Sequence, residues 1–138
     1  MIRYTTTVEN IISTQLEGFF VNWPNPPSPE THLDLLRHSD AIVLAIDDAT
    51  NAVVGFVTAH TDKVLTAYVP LLEVLPNYQK QGIGLKLMQI ILENLRSFYA
   101  IDLLCDSDVQ PFYERVGMRP ATGMYIRHYE NQSGRKDT

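Results

Sequence analysis

The stretch Val74-Leu75-Pro76-Asn77-Tyr78-Gln79-Lys80-Gln81-Gly82-Ile83-Gly84 organises the chain around itself. An apolar segment ends at Leu75, a short polar loop follows, and a long helix opens at two glycines. The start of a helix presents N–H groups with no carbonyl one turn earlier, together with the positive end of the helix dipole. Glycines let an anion come close to that backbone, so the arrangement suits a phosphate or pyrophosphate. Lys80 and Lys86 add positive charge at the rim. The plainer reading is that Gly82 and Gly84 only make a tight turn, and the glycines alone weigh the two equally. The spacing matches neither the dinucleotide pattern G-x-G-x-x-G nor the nucleotide-hydrolase pattern G-x-x-x-x-G-K-[ST].

Downstream, Leu87, Met88, Ile91, Leu92, Leu95 and Phe98 recur at three- and four-residue steps, which predicts a helix over 83–98. Residues 101–105 read as a buried strand. Ser107 with Gln110 fits a capping box opening a helix to about Val116, ended by Gly117. Residues 124–129 read as a last strand, and 131–138 as a polar, fraying tail. Upstream, 65–75 is apolar on both faces, as a central strand is, with Pro70 signalling a bulge or broken pairing. Residues 52–61 and 41–46 read as strands around a turn at 47–51. Residues 2–7 read as a first strand, and the apolar steps of 8–20 as a helix ending near Gly18. The proline-rich 23–29 is a shaped loop. Ser28 caps a short helix that starts at Pro29 and turns Leu33, Leu35 and Leu36 inward.

A chain of 138 residues with 45% hydrophobic and 20% charged residues suits one soluble domain, here 1–130 plus the tail. A net charge of −5 argues against a nucleic-acid partner. The single cysteine, Cys105, allows no internal disulfide, and its apolar neighbours suggest a buried, inert thiol. The four histidines are not spaced for a metal site; His32 and His38 read as solvated helix residues. No apolar run approaches a membrane span and no signal-peptide pattern opens the chain, so the expected location is the cytoplasm.

Gln79-Lys80-Gln81-Gly82-Ile83-Gly84 resembles the [RQ]-x-x-G-x-[GA] signature of the GNAT N-acetyltransferase superfamily. Val74-x-Pro76 stands where that family has V-x-P, and Phe112-Tyr113 through Gly117-Met118 resembles its F-Y-x-x-x-G-F segment. The three features occur in the family's order. The resemblance implies an α/β fold: a mixed, largely antiparallel central sheet flanked by helices on both faces. It implies acetyl-CoA as cosubstrate, with no metal, and a small-molecule or peptide amine as acceptor. Leu72, Glu73 and Val74 would line the pantetheine arm. The backbone of Gln79, Lys80, Gln81, Gly82, Ile83 and Gly84, with Leu85 and Lys86, would hold the pyrophosphate. Tyr113 would be the acid that protonates the leaving thiolate. Asp106 stands where an Asn near the cofactor arm is frequent, a departure from the pattern.

Amine acetylation needs a neutral amine, a polarised thioester carbonyl and a proton for sulfur. A backbone N–H and a phenol can supply the last two. The resemblance implies a general base, Glu or His in many members, six residues before the Val of V-x-P; this sequence has Tyr68 there, a poor base at neutral pH. Glu73, His60 and ordered water are the other candidates, although Glu73 reads more readily as half of a structural ion pair and His60 as a surface residue at a strand end. Trp23 and Asn25 line an acceptor pocket, or Trp23 caps the core. A non-catalytic acyl-CoA-binding or sensing domain is the alternative reading, and a protein-interaction domain without a cofactor a weaker third. The acceptor, the length of the acyl group and the oligomeric state, a homodimer included, stay open.

Overall fold

Four antiparallel strands and a short fifth carry the molecule. The computed structural model describes residues 1–134. In chain order the elements are β1 (Ile2–Thr5), α1 (Pro29–His38), β2 (Ala41–Asp47), β3 (Ala52–Thr61), β4 (Thr66–Val74), α2 (Ile83–Asn94), β5 (Ala100–Asp102) and α3 (Gln110–Glu114). The strands lie in the order β1-β2-β3-β4-β5. The first three pairings are antiparallel and β4–β5 is parallel. This is the mixed, largely antiparallel sheet expected from the sequence.

Each face of the sheet has its own core. On one, α2 lays Leu87, Met88 and Ile91 over Val43, Ala45, Val54 and Val57. Gly55 lets that helix approach: a Cβ there would stand 3.1 Å from Leu87 and 3.3 Å from Ile83. On the other face, α1 and the segment before it cover Leu44, Ile46 and Phe56 with Leu16, Phe19, Phe20, Leu33 and Leu36. The start of α1 is as expected, with the Ser28 hydroxyl accepting the Thr31 N–H at 3.1 Å and Pro29 opening the helix.

Several elements differ from expectation, each for a physical reason. Residues 8–20 form only a short 3₁₀ turn, Ser13–Leu16. Positive φ at Asn10 (68°), Gly18 (92°) and Phe20 (63°) breaks any helix. The Gln15 side chain takes the Ile12 N–H, and the Thr7 hydroxyl takes that of Glu9. Ile11, Leu16, Phe19 and Phe20 bury all the same, whereas Ile12 stays exposed. α2 stops at Asn94, and a turn carries the chain through Phe98. The strand expected at 101–105 is the short β5, half-buried rather than buried because it forms the sheet edge. Cys105 is likewise only half-buried. The Ser107–Gln110 capping box does not form; Asp106 is the cap residue of a 3₁₀ turn, Ser107–Val109, without a side-chain hydrogen bond. No strand forms at 124–129. Within the expected tail, Tyr129–Asn131 makes a 3₁₀ turn, while residues 135–138 lie outside the described residues.

His32 is the sharpest departure. His38 is exposed as expected, but His32 is 1% exposed. Its ring meets Phe56, Phe20 and Phe19 at centroid distances of 4.4, 4.9 and 5.2 Å. Neither ring nitrogen finds a partner among the described residues. Burial favours the neutral imidazole and lowers its pKa from 6.5 to about 4. The stability this reflects is present above the unfolded value and is lost as pH falls from about 6.5 through about 4. A shift of that size corresponds to roughly 3 kcal/mol once both states are protonated. Replacing the imidazole with a ring that cannot charge, His32→Phe, is expected to flatten denaturant stability across that interval. An unchanged acid slope would place the titrating group elsewhere.

Candidate active site

The site begins where two strands part. β5 pairs with β4 only through Thr66↔Ala100, Ala67↔Ile101 and Tyr68↔Asp102. Beyond Tyr68, β4 continues along β3 alone. The pairs Thr58↔Leu71 and His60↔Tyr68 leave Val69 and Pro70 of β4 opposite Ala59 of β3, a bulge at the residue that has no N–H to donate. The edge of Leu72, Glu73 and Val74 that faces away from β3 therefore has no strand partner among the described residues, which leaves a slot in the ladder.

At the end of the slot the chain turns through Pro76–Tyr78. The Tyr78 hydroxyl donates to the Asp47 carboxylate at 2.6 Å, which pins this turn to the β2–β3 connection. That bond raises the pKa of the phenol and lowers that of the carboxyl. The Gln79 side chain donates back to the Val74 carbonyl at 2.9 Å. Lys80 and Gly82 adopt positive φ, 64° and 86°, and α2 opens with the Lys86 N–H on the Gly82 carbonyl at 3.0 Å. No side chain caps the helix, and nothing lies within 4 Å of where a Gly82 Cβ would be. The N–H groups of Ile83, Gly84 and Leu85 thus have no capping side chain among the described residues and lie at the positive end of the dipole. Lys80, Gln81 and Lys86 are exposed around them. Gly84 has an ordinary packing reason: a Cβ there would meet the Phe112 ring at 3.5 Å and Val74 at 3.7 Å. Phe112 thereby joins α3 to the first turn of α2.

The adjacent Tyr113 lines a cleft of about 1630 Å³ beside β5, shared with Tyr68, Cys105 and Asp106. Burial first, and Cys105 second, push the Tyr113 phenol up to about 12. The Cys105 thiol is raised by desolvation and then by Asp106 and Asp108, which keeps it protonated. Asp106 is exposed, and its backbone carbonyl accepts the Val109 N–H at 3.1 Å.

The structure divides the remaining candidates. Among the described residues Glu73 forms no ion pair; its carboxylate accepts the Phe20 N–H at 2.9 and 3.1 Å and the Val21 N–H at 3.3 Å. It ties β4 to the loop that carries the aromatic cluster. His60 is exposed at the closed end of the β4–β5 pair, opposite Tyr68. Trp23 packs on Phe20 at 4.9 Å, and the Asn25 N–H donates to Gln132 at 2.9 Å. Sequence reasoning missed His32, the Tyr78–Asp47 bond and Gln132. Only Tyr78, inside the loop already singled out, carried a local signal. If Glu73 is structural, Glu73→Ala is expected to cost about 1–3 kcal/mol in urea denaturation, because it strands two backbone donors. Glu73→Gln, which keeps an acceptor, should cost less. Full stability in both variants would overturn the assignment.

Comparison with known proteins agrees with this geometry. A family model described as the Acetyltransferase (GNAT) family matches residues 8–118. The chain is 28% identical over 120 residues to ycf52 of Porphyra purpurea, an uncharacterized N-acetyltransferase, covering 83% of this chain and 68% of that protein. It is 40% identical over 84 residues to the chloroplastic GCN5-related N-acetyltransferase 3 of Arabidopsis thaliana, covering 56% of this chain but only 35% of that one. Among solved structures, a protein of Deinococcus radiodurans R1 described as an acetyltransferase is 44% identical, with a TM-score of 0.95 over 99% of this chain and 94% of that one. An overlap so complete includes residues 119–134. SP0256 of Streptococcus pneumoniae TIGR4, a GNAT family protein, is 31% identical with a TM-score of 0.74, covering 93% and 98%. The family match spans the slot, the loop, the helix start and the Phe112–Tyr113 segment, and the chain belongs to the GNAT family of acetyltransferases.

Proposed function

We propose that this chain is an N-acetyltransferase that moves the acetyl group of acetyl-CoA to an amine by direct attack in a ternary complex. The observation that carries this reading is the slot beside β4 running straight into the uncapped, glycine-opened start of α2. A thioester on a long amide-bearing arm ending in a pyrophosphate has that shape and charge. The backbone of β4 beyond Tyr68 has no β5 partner, so it offers hydrogen bonds to the amides of the arm. The N–H groups of Ile83, Gly84 and Leu85 meet the pyrophosphate, with Lys80 and Lys86 at its rim. Gln79 keeps the loop folded against Val74.

In the chemical step the amine nitrogen bonds to the thioester carbonyl carbon, the C–S bond breaks, and the nitrogen loses one proton while the sulfur gains one. Tyr113 stands at the cleft to serve the sulfur. Its phenol at about 12 is protonated at every working pH. It is also a weaker acid than a free phenol, so its contribution is a hydrogen bond that strengthens as charge develops on sulfur. Glu73 is committed to backbone donors and His60 lies at the closed end. Water in the cleft is therefore the acceptor of the amine proton.

Two outcomes are expected. CoA should raise the melting temperature by mass action and adenosine should not; Gly82→Val, which fills the open space and strains the turn, should weaken CoA binding by roughly tenfold or more, about 1.4 kcal/mol. Equal shifts from the two compounds would remove the pyrophosphate site. Tyr113→Phe should leave CoA affinity intact and lower turnover by ~10²–10⁴-fold, read as thiol release with an accepted amine. The wild-type rate should not turn down near the ordinary phenol value of 10.0. Turnover unchanged by the substitution would make Tyr113 structural, and CoA binding without turnover across a broad amine panel would favour a sensing role.

A further inference from the structure

The loop between β4 and α2 is held in its form by few bonds. At its start the Tyr78 N–H donates to the Leu75 carbonyl and the Gln79 N–H to that of Pro76. The next three residues differ: among the described residues no backbone carbonyl accepts from the N–H of Lys80, Gln81 or Gly82. Lys80 also takes a φ of 64°, a left-handed conformation that costs a lysine energy. Side chains supply what the backbone lacks. Gln79 donates to the Val74 carbonyl at 2.9 Å and Gln81 to that of Asn77 at 3.5 Å, five and four residues away along the chain. Among the described residues, the one side-chain hydrogen bond that leaves the loop's own neighbourhood comes from Tyr78. Its hydroxyl donates to Asp47 at 2.6 Å, 31 residues earlier.

Asp47 is a fixed point. It ends β2, in register with Ile2 of β1 and Ala52 of β3. Its carbonyl accepts the Asn51 N–H at 2.7 Å and its Oδ1 accepts the Ala49 N–H at 2.9 Å, which leaves Oδ2 for Tyr78. Two more side chains grip the same turn: Gln15 donates to the Asn51 carbonyl at 2.8 Å, and Arg3 to the Asp48 carboxylate at 2.8 Å. The phenol therefore joins a loop with little support of its own to a turn set by three strands. A hydroxyl on a carboxylate oxygen is among the stronger hydrogen bonds. We propose that Tyr78 and Asp47 are positioning residues for the cosubstrate: their hydrogen bond holds residues 80–82 in the form that presents the start of α2 to a pyrophosphate. They act through the loop backbone, from the far side of the sheet. A ligand that binds only the held form loses apparent affinity in proportion to the time the loop spends open. Breaking the bond therefore weakens CoA and leaves the chemical step alone. The inference rests on the acetyl-CoA reading above.

S-acetylpantetheine carries the same thioester without the pyrophosphate, so it separates positioning from general damage. Tyr78→Phe, folded by circular dichroism, should bind CoA roughly tenfold more weakly by calorimetry. With an accepted amine it should raise the KM for acetyl-CoA by the same factor and keep kcat at saturation. Its kcat/KM for S-acetylpantetheine should equal that of wild type. Asp47→Ala should repeat these effects, and the double variant should lose no more than either single one, because all three remove one bond. Trypsin should cut after Lys80 faster in Tyr78→Phe than in wild type, and CoA should slow that cut. Wild-type CoA affinity in either single variant, losses that add in the double variant, or equal losses with both acyl donors would overturn the assignment. A wild-type chain that does not bind CoA would overturn the acetyl-CoA reading itself and this inference with it, whereas wild-type binding that Tyr78→Phe leaves intact overturns the positioning role alone.

Discussion

A proline at the midpoint of β4 governs the rest of the site. Pro70 has no N–H, and the ladder with β3 accommodates it by a bulge at Val69–Pro70. The parallel ladder with β5 ends just before it, at Tyr68. Past that point β4 is held by β3 alone, and its other edge is open. The bulge at Pro70 and the shortness of β5, Ala100–Asp102, together leave that edge of β4 without a partner among the described residues. Had β4 and β5 paired along their whole length, the backbone groups of Leu71–Val74 would be consumed in the sheet and nothing could lie between the strands.

The open edge demands rigidity around it, and the structure supplies it from three sides. Gly55 lets α2 sit low on the sheet, so the helix start is fixed relative to β4. Tyr78 ties the intervening loop to Asp47 at the far side of the sheet. Glu73 holds the Phe20 loop against β4 with a carboxylate that accepts three hydrogen bonds from two backbone donors. Phe20 in turn packs on Trp23, His32 and Phe56. A single side chain on the slot strand thereby orders the proline loop, which carries Asn25 and Trp23.

What was legible in the sequence tracks how local the cause is. β3, the Ser28–Pro29 helix start, the Pro70 irregularity and the glycine-opened α2 each follow from residue chemistry within a few positions, and all four stand where they were read. Residues 8–20 carry helical spacing of apolar residues, but that spacing also serves an irregular segment whose side chains drop one by one into a core. The positive φ values at Asn10, Gly18 and Phe20 decide the matter, and periodicity does not reveal them. His32 was read as solvated because a histidine on a polar helix usually is; its burial depends on three phenylalanines, two before it and one on β3. Glu73 was read as half of an ion pair because its true partners are backbone N–H groups, which no sequence pattern marks.

Residues 124–129 teach the opposite lesson. The reading of a strand there rested on β-branched and aromatic residues, and that preference is a statement about what the segment would do beside a partner. Isolated strands have no internal hydrogen bonds, so a strand sequence without a neighbour adopts extended backbone and is not counted as one. The absence of a ladder at 124–129 therefore leaves the propensity intact. On one side of the proposed site, the groups on offer are the backbone of β4 past Pro70 and the N–H groups at the glycine-opened start of α2. On the other side, the cleft walls are side chains of β5, of α3 and of the segment after it. Under the proposed function, selectivity for the acceptor rests on those side chains.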